Sequence, residues 1–338
     1  MWVRALCIDR RVNERDEYLD AIRDAVEFLL TCRPSDRTFH CRDVAGKDSC
    51  NGLIGQAYPL IALSLAADHL GEDRYRAHAS DVFLTHPYDD RTGIWQRVEI
   101  DGTVLSIDRT FNHQLWFAVA GSFLSSVDAI DEQIVDFLEA LETMMNVDDG
   151  LIEHRLRPTY SPKTYAGFLA HPVRRHLLIN KILHYVRPPS SRQALRDKAR
   201  NYQSVNLMGL AMLKREYPNH PVWKHPKINS AIELVRTDDY RRRMETNGHG
   251  FVNKPTGLQN AVALETFDVG TDTEVKYWIT EQFRRSYDTE TGFMERGATD
   301  PETMAGNMYI AGYLPDTKLD IDRVTDRPGY NGVIETDG

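Results

Sequence analysis

Two helical patterns alternate along the chain. Residues 14–33, about 72–85, 128–146, 227–244 and 271–287 carry apolar side chains on one helical face and charges or other polar groups on the opposite one. Residues 52–70, 111–124, 202–216, 257–267 and 304–314 are apolar nearly all round. A helix with one apolar stripe lies at a surface, whereas a helix apolar on every side is enclosed. In 52–70, Leu53, Ile54, Ala57, Leu60, Ile61, Leu63, Leu65, Ala66 and Leu70 leave almost no polar face. In 128–146, Ile130, Ile134, Phe137, Leu138 and Leu141 oppose Asp131, Glu132, Asp136, Glu139 and Glu142.

Between the two types a short phrase recurs. It reads Asp90-Arg91-Thr92-Gly93-Ile94-Trp95, Asp148-Asp149-Gly150-Leu151-Ile152-Glu153, Asn247-Gly248-His249-Gly250-Phe251-Val252 and Asp288-Thr289-Glu290-Thr291-Gly292-Phe293-Met294-Glu295. Each is read as a glycine that ends an outer helix, followed by large apolar residues in an extended stretch. The glycine-to-glycine steps are 57, 100 and 42 residues. The middle step is close to two units with one cryptic loop, so the period is about 50 residues and the chain holds about six units. Six pairs of enclosed and exposed helices are satisfied by closing into a ring. The expectation is an all-α (α/α)6 toroid, weighed against an open helical-repeat superhelix with the same local pattern, as one domain over 1–338 with irregular termini at 1–12 and 315–338. Length alone would have suggested two domains. In 163–200 the pattern supports one helix near 177–186, with a charged segment after Pro188-Pro189.

With 41 basic and 50 acidic residues and a formal net charge of −9, bulk electrostatics excludes a nucleic-acid partner, while local basic sites stay open. No run reaches the roughly 18 apolar residues of a membrane span, so no membrane insertion is expected. The first residues lack a signal-peptide layout, which makes a cytoplasmic location the expectation. Cys7, Cys32, Cys41 and Cys50 all fall in the first 50 residues, unlike a secreted disulfide framework. Cys32, Cys41 and Cys50 with His40 lack the tight two-ligand turn of a structural zinc site, so neither a metal nor a cofactor is expected.

In a toroid the inner helices start at one mouth, where unpaired backbone N–H groups favour anions. The polar residues of the inner helices gather at those starts. Asn51, Gln56, Asp108, Arg109, Asn112, His113, Gln114, Tyr202, Gln203, Lys254 and Asn307 belong there, and the recurring loops add Trp95, Glu153, His154, His249, Phe251 and Glu295. Amides, carboxylates, imidazoles and flat aromatic faces suit a sugar. The same residue types also serve as helix caps and loop anchors.

Asn51-Gly52-Leu53-Ile54-Gly55-Gln56-Ala57-Tyr58, with Arg109-Thr110-Phe111-Asn112-His113-Gln114-Leu115-Trp116-Phe117-Ala118, resembles the AglQ-like proteins of archaeal glycosylation and polysaccharide gene clusters. The similarity covers most of the chain. Those proteins in turn resemble the six-hairpin glycosidases, in particular the unsaturated glucuronyl and rhamnogalacturonyl hydrolases. The resemblance implies a uronic-acid-containing or related sugar, lipid- or nucleotide-linked, as partner in glycan assembly. The hydrolases carry a key acid on an inner helix near the second hairpin, in a segment that typically begins Asp-Asp. Here Asn112-His113 stands at the matching place, with Asp108 four residues before Asn112, which departs from that pattern. Two chemistries follow. If Glu153 and Glu295 face each other across the mouth, two-carboxylate glycoside hydrolysis is available. If Asp108 with His113 dominates, the chemistry is proton abstraction beside a carboxylate that Arg109 clamps, as in an epimerase or isomerase. Aromatics and amides without a nearby acid would instead make a glycan-binding protein.

Overall fold

The computed structural model describes residues 1–13, 16–33, 37–186, 188–247 and 250–319. The fold is all-α, with two small antiparallel sheets. The helices are α1 (Trp2–Asn13), α2 (Tyr18–Thr31), α3 (Gly52–Leu70), α4 (Asp73–Thr85), α5 (Phe111–Ser122), α6 (Asp128–Met144), α7 (Pro162–Phe168), α8 (Arg175–Val186), α9 (Pro189–Glu216), α10 (Pro226–Arg236), α11 (Asp238–Glu245), α12 (Thr256–Phe267), α13 (Asp272–Ser286) and α14 (Pro301–Gly306). Short 3₁₀ helices cover Pro221–Lys224 and Asn307–Tyr313.

The helices read as apolar all round are the enclosed ones. In α5 every residue from Phe111 to Ser122 except His113 is buried, while α6 buries only Ile130, Ile134, Phe137, Leu138, Leu141 and Met144. The enclosed elements touch in sequence. α3 packs on α5, α5 on α9, α9 on α12, α12 on the 3₁₀ helix 307–313, that helix on α1, and α1 on α3. From the outside, α2 and α4 pack on α3, α6 on α5, α10 on α9 and α12, and α13 on α12.

The irregular N-terminus expected over 1–12 is corrected: Trp2–Asn13 is a helix of the enclosed set. Arg4 is fully buried, its guanidinium 4.0 Å above the Tyr309 ring, so a residue that breaks the apolar pattern is accommodated by aromatic faces. Gly312 lets the two elements approach, because a Cβ there would lie 2.1 Å from Ile8 Cγ2. The 100-residue step is also reinterpreted. It holds one enclosed helix, α9, with α10 and α11 outside it, lengthened by α7 and α8 rather than by a second unit. The expected C-terminal segment 315–338 is described only to residue 319, where 315–319 has no regular structure; the rest lies outside the described residues.

Three of the four recurring phrases form a hairpin or its single bridge, and the fourth includes residues outside the described ones. β1 (Tyr88–Asp89) pairs with β2 (Ile94–Val98), and β4 (Val147–Asp148) with β5 (Leu151–Ile152); Tyr287 and Met294 form the equivalent single bridge. Gly93, Gly150 and Gly292 have φ of +67°, +79° and +76°. They turn the hairpin rather than cap the helix, which has ended several residues earlier. β2 also pairs with β3 (Val104–Ile107), whose last residue delivers Asp108 to the start of α5.

A second device repeats with the hairpins. Gln114 Oε1 accepts from Trp95 N at 3.0 Å, and its Nε2 donates to Trp95 O at 2.8 Å and Asp108 O at 3.0 Å. Gln56 does the same with Phe39 N at 2.7 Å, Phe39 O at 2.9 Å and Cys50 O at 2.9 Å. Gln203 accepts from Ile152 N and donates to Gly150 O and Ala231 O. Gln282 accepts from Gly257 N and donates to Phe251 O and Ser286 Oγ. Each side chain ties the backbone of a neighbouring strand or loop to its own helix.

Candidate active site

The site forms where β3 hands the chain to α5 and where α3 begins beside it. Asp108 is buried, and its carboxylate accepts from Leu53 N at 3.1 Å and from Thr110 N at 3.1 Å. Its Oδ2 lies 2.8 Å from His113 Nδ1. Burial pushes the Asp108 carboxyl up, but His113, the Leu53 N–H and Arg97 outweigh it and hold the group below its ordinary value. An ionised, buried aspartate fixes the imidazole's orientation and makes Nδ1 the protonated nitrogen, leaving Nε2 for proton exchange. The His113 side chain keeps 24% of its surface in solvent.

The backbone makes room for this pair. Asn51 and Gly52 both lie in the left-handed region, with φ of +54° and +62°. A Cβ on Gly52 would sit 2.4 Å from Asp108 Oδ2 and 3.0 Å from His113 Nδ1. Asn51 is held there by Arg42, which donates to its Oδ1 at 2.7 Å and to Asp48 at 3.0 Å. Asp48 also accepts from Gly52 N at 2.8 Å and from Arg97 at 2.6 Å. Its carboxylate is thereby committed to structure.

Beside the start of α5 runs the segment 154–156, joined to it by the antiparallel bridge of Thr110 with Arg155. Phe111 N donates to His154 O at 2.9 Å and Leu156 N to Arg109 O at 2.9 Å. His154 is buried against the Tyr202 ring, with centroids 4.8 Å apart, and its Nδ1 has no hydrogen-bond partner among the described residues. Lys254 Nζ stands 3.9 Å from the centre of the same Tyr202 ring and donates to Asn201 O. Burial, then Lys198, His113, Arg155 and Lys254, press the His154 imidazole down to about 3. Burial and Lys198 bring Lys254 down to about 8. Arg109 donates to Asn180 Oδ1 at 3.3 Å and depresses His176 further, after burial. Cations thus crowd a recess in which the nearby acid, Asp108, is already paired, and an anionic ligand would relieve them.

A cavity of about 440 Å³ opens beside this recess, lined by Glu153, His154, Arg155, Arg157, Asn180, His184, Arg192 and Arg196 among others. Glu153 is held by Arg157, whose Nε lies 3.0 Å from its Oε2.

The expected site residues separate clearly. Asp108 and His113 pair, His154, Tyr202 and Lys254 cluster beside them, and the Arg109 side chain turns to Asn180 instead; Asn112 is buried on the same helix turn as His113 with its Oδ1 unpartnered. Gln56, Gln114 and Gln203 do not face a ligand: they are fully buried and their amides are spent on backbone. Trp95 and Phe251 are corrected as well, since both are core residues. Trp95 packs between Phe83, Phe117 and Phe137 and donates Nε1 to Gln133, and Phe251 stacks on Trp278. Glu295 follows the Tyr287–Met294 bridge on a different loop and does not line the cavity that holds Glu153. Tyr202 and Gln203 lie inside α9, not at its start. Asn51 is the residue before α3, and Asn307 begins the last 3₁₀ helix, half-buried. His249 lies outside the described residues. Lys198, Arg97 and Arg42 were not anticipated; the polar first half of α9 and the strand Arg97 occupies gave no helix-start signal to mark them.

The thiols have structural roles. Pro59 inside α3 cannot donate to the Gly55 carbonyl four residues back, and Cys41 Sγ donates to it instead at 3.2 Å. Burial raises Cys41 to about 11, which keeps that thiol protonated. Among the described residues, no group of three His, Cys, Asp or Glu side chains is arranged to hold a metal ion.

Fold and site together define the class: an all-helical protein with a buried aspartate paired to a partly exposed histidine, beside a cluster of cations, at the start of an enclosed helix. The chain is 39% identical over 326 residues to Archaeal glycosylation protein Q of Haloferax volcanii, a match that spans 95% of this chain and 88% of that protein. It belongs to the archaeal glycosylation protein Q family. No family model and no solved structure matches it.

Proposed function

We propose that this protein acts on an acidic sugar, of the uronic-acid type, during glycan assembly, by proton transfer at His113 Nε2. The observation that carries the reading is the 2.8 Å pair of Asp108 and His113 beside a recess of cations. Lys254 and Arg109 would hold the sugar carboxylate and lower the cost of the negative charge that builds up when the neighbouring C–H loses its proton. His113 would take that proton and return it, on either face or to a neighbouring atom, giving epimerisation or isomerisation. The role in glycosylation rests on the family relative's name. Support for an (α/α)6 toroid as one domain comes from the unbroken circuit of contacts among α1, α3, α5, α9, α12 and residues 307–313.

Two-carboxylate hydrolysis has less support, because Glu153 is bound to Arg157 and Glu295 does not line the cavity that holds it. The test is incubation with lipid- or nucleotide-linked uronates in deuterated water, followed by mass and stereochemical analysis. The expected result is deuterium uptake at carbon with changed configuration, lost in His113→Asn. Release of free sugar with addition of water would replace this reading by hydrolysis. Tight binding with no exchange would replace it by glycan binding.

A further inference from the structure

Residues 154–196 contain nine Lys and Arg and no Asp or Glu, in a chain whose formal net charge is −9; those nine charges leave the remaining residues at −18. This block comprises the segment beside the site, α7, α8 and the first turns of α9. Arg157, Arg174 and Arg196 are neutralised by Glu153, Asp89 and Asp148. Lys163, Arg175 and Arg192 have no carboxylate partner among the described residues, and all three are exposed.

The same block carries the largest group of exposed apolar side chains. α8 packs inward through Leu177 and Asn180, yet Ile179, Ile182, Leu183 and Val186 are 41%, 53%, 41% and 70% exposed. Their spacing of three and four residues puts them on one face, a second apolar stripe that the fold does not cover. Tyr185 and Leu169, each 66% exposed, widen it. A stable protein interface buries about 800 Å² on each partner. A lipid surface asks for less: a few apolar side chains at headgroup depth and unpaired cations around them. No helix of the described residues is long and apolar enough to cross a membrane, so the contact would be with the surface alone.

We propose that α7, α8 and the start of α9 dock on an anionic lipid surface. Ile182, Leu183 and Val186 enter the headgroup layer, and lipid phosphates meet Arg192 at the rim of the 440 Å³ cavity. The proposal is independent of the reaction. It sets the cavity, and through His154 the acid–base pair, next to the bilayer.

Flotation of the full chain with vesicles of equal parts phosphatidylglycerol and phosphatidylcholine tests it, against pure phosphatidylcholine. The expected result is binding to the anionic vesicles only, weakened by salt. Arg192→Ala should bind about fivefold less tightly, and Ile182→Glu with Val186→Glu at least about tenfold less. Circular dichroism melting checks that these exposed changes leave the fold intact, and His113→Asn should float as the unaltered chain does. Absence of binding to anionic vesicles overturns the proposal, as does equal binding by both variants. Retention on polyglutamate resin without vesicle binding would also overturn it and assign the face to an acidic protein.

Discussion

Gln114 and His113 are neighbours on the first turn of α5 and have opposite fates. The Gln114 amide is saturated by Trp95 and Asp108 backbone, and the side chain is fully buried. The His113 ring spends one nitrogen on Asp108 and keeps part of its surface in solvent. The same split separates Gln56, Gln203 and Gln282 from His154, whose Nδ1 is left without a partner. Position at a helix start therefore does not mark function. A ligand needs unspent hydrogen-bonding capacity, and His113 and His154 keep some while the glutamines do not.

The comparison breaks if the two kinds of residue respond alike to substitution. His113→Asn should lower turnover of an acidic sugar by about 100-fold or more with little change in melting temperature. Gln282→Ala should do the reverse. It orphans Gly257 N and Phe251 O, costing about 3 kcal/mol in urea denaturation while folded molecules keep full turnover. Gly52→Ala should show both effects. Its left-handed backbone costs about 1–2 kcal/mol with a Cβ present, and the added methyl displaces the Asp108 carboxylate, so stability and turnover fall together.

Two titrations sharpen the contrast further. Lys254 loses its charge near pH 8, so KM for an acidic sugar should rise above that pH, and Lys254→Arg should carry tight binding to higher pH. In stability a pH dependence is expected from the histidines. His86 and His154 are pressed by burial to about 4 and about 3, below the unfolded value of 6.5. Between those limits the unfolded chain binds more protons than the folded one, so stability falls as pH drops from about 6.5 towards 4. Asp108, depressed in the folded state, acts in the same direction at still lower pH. Denaturation midpoints measured across this range should fall less steeply in His154→Gln.

Much of the helix order is legible in the sequence because enclosure demands apolar residues on every face. Three features escape that logic. α1 is enclosed through Arg4, which hydropathy counts as polar but which Tyr309 and Trp116 accept through their ring faces. α9 begins at Pro189, where a proline that looks like a break suits a helix's first turn, and its first half is too polar to show a stripe. Gln56, Gln114 and Gln203 were visible as polar residues in the right places, but a glutamine offers a sugar hydroxyl and a peptide the same donors and acceptors. Only the partners decide. Asp108 and His113 were recoverable because five residues across a helix start bring a carboxylate and a ring together.

The contact between α1 and residues 307–313 has a consequence for how the chain reaches this state. Its two sides are about 300 residues apart in sequence, so no segment of the growing chain can complete the circuit early. Until residue 313 emerges, α1 and α12 lack the segment that packs against both of them. Long-range closure of this kind is slow and leaves sticky surface open meanwhile. Burying Arg4 before Tyr309 arrives would leave its charge without that ring face, which makes premature burial of the α1 flank costly.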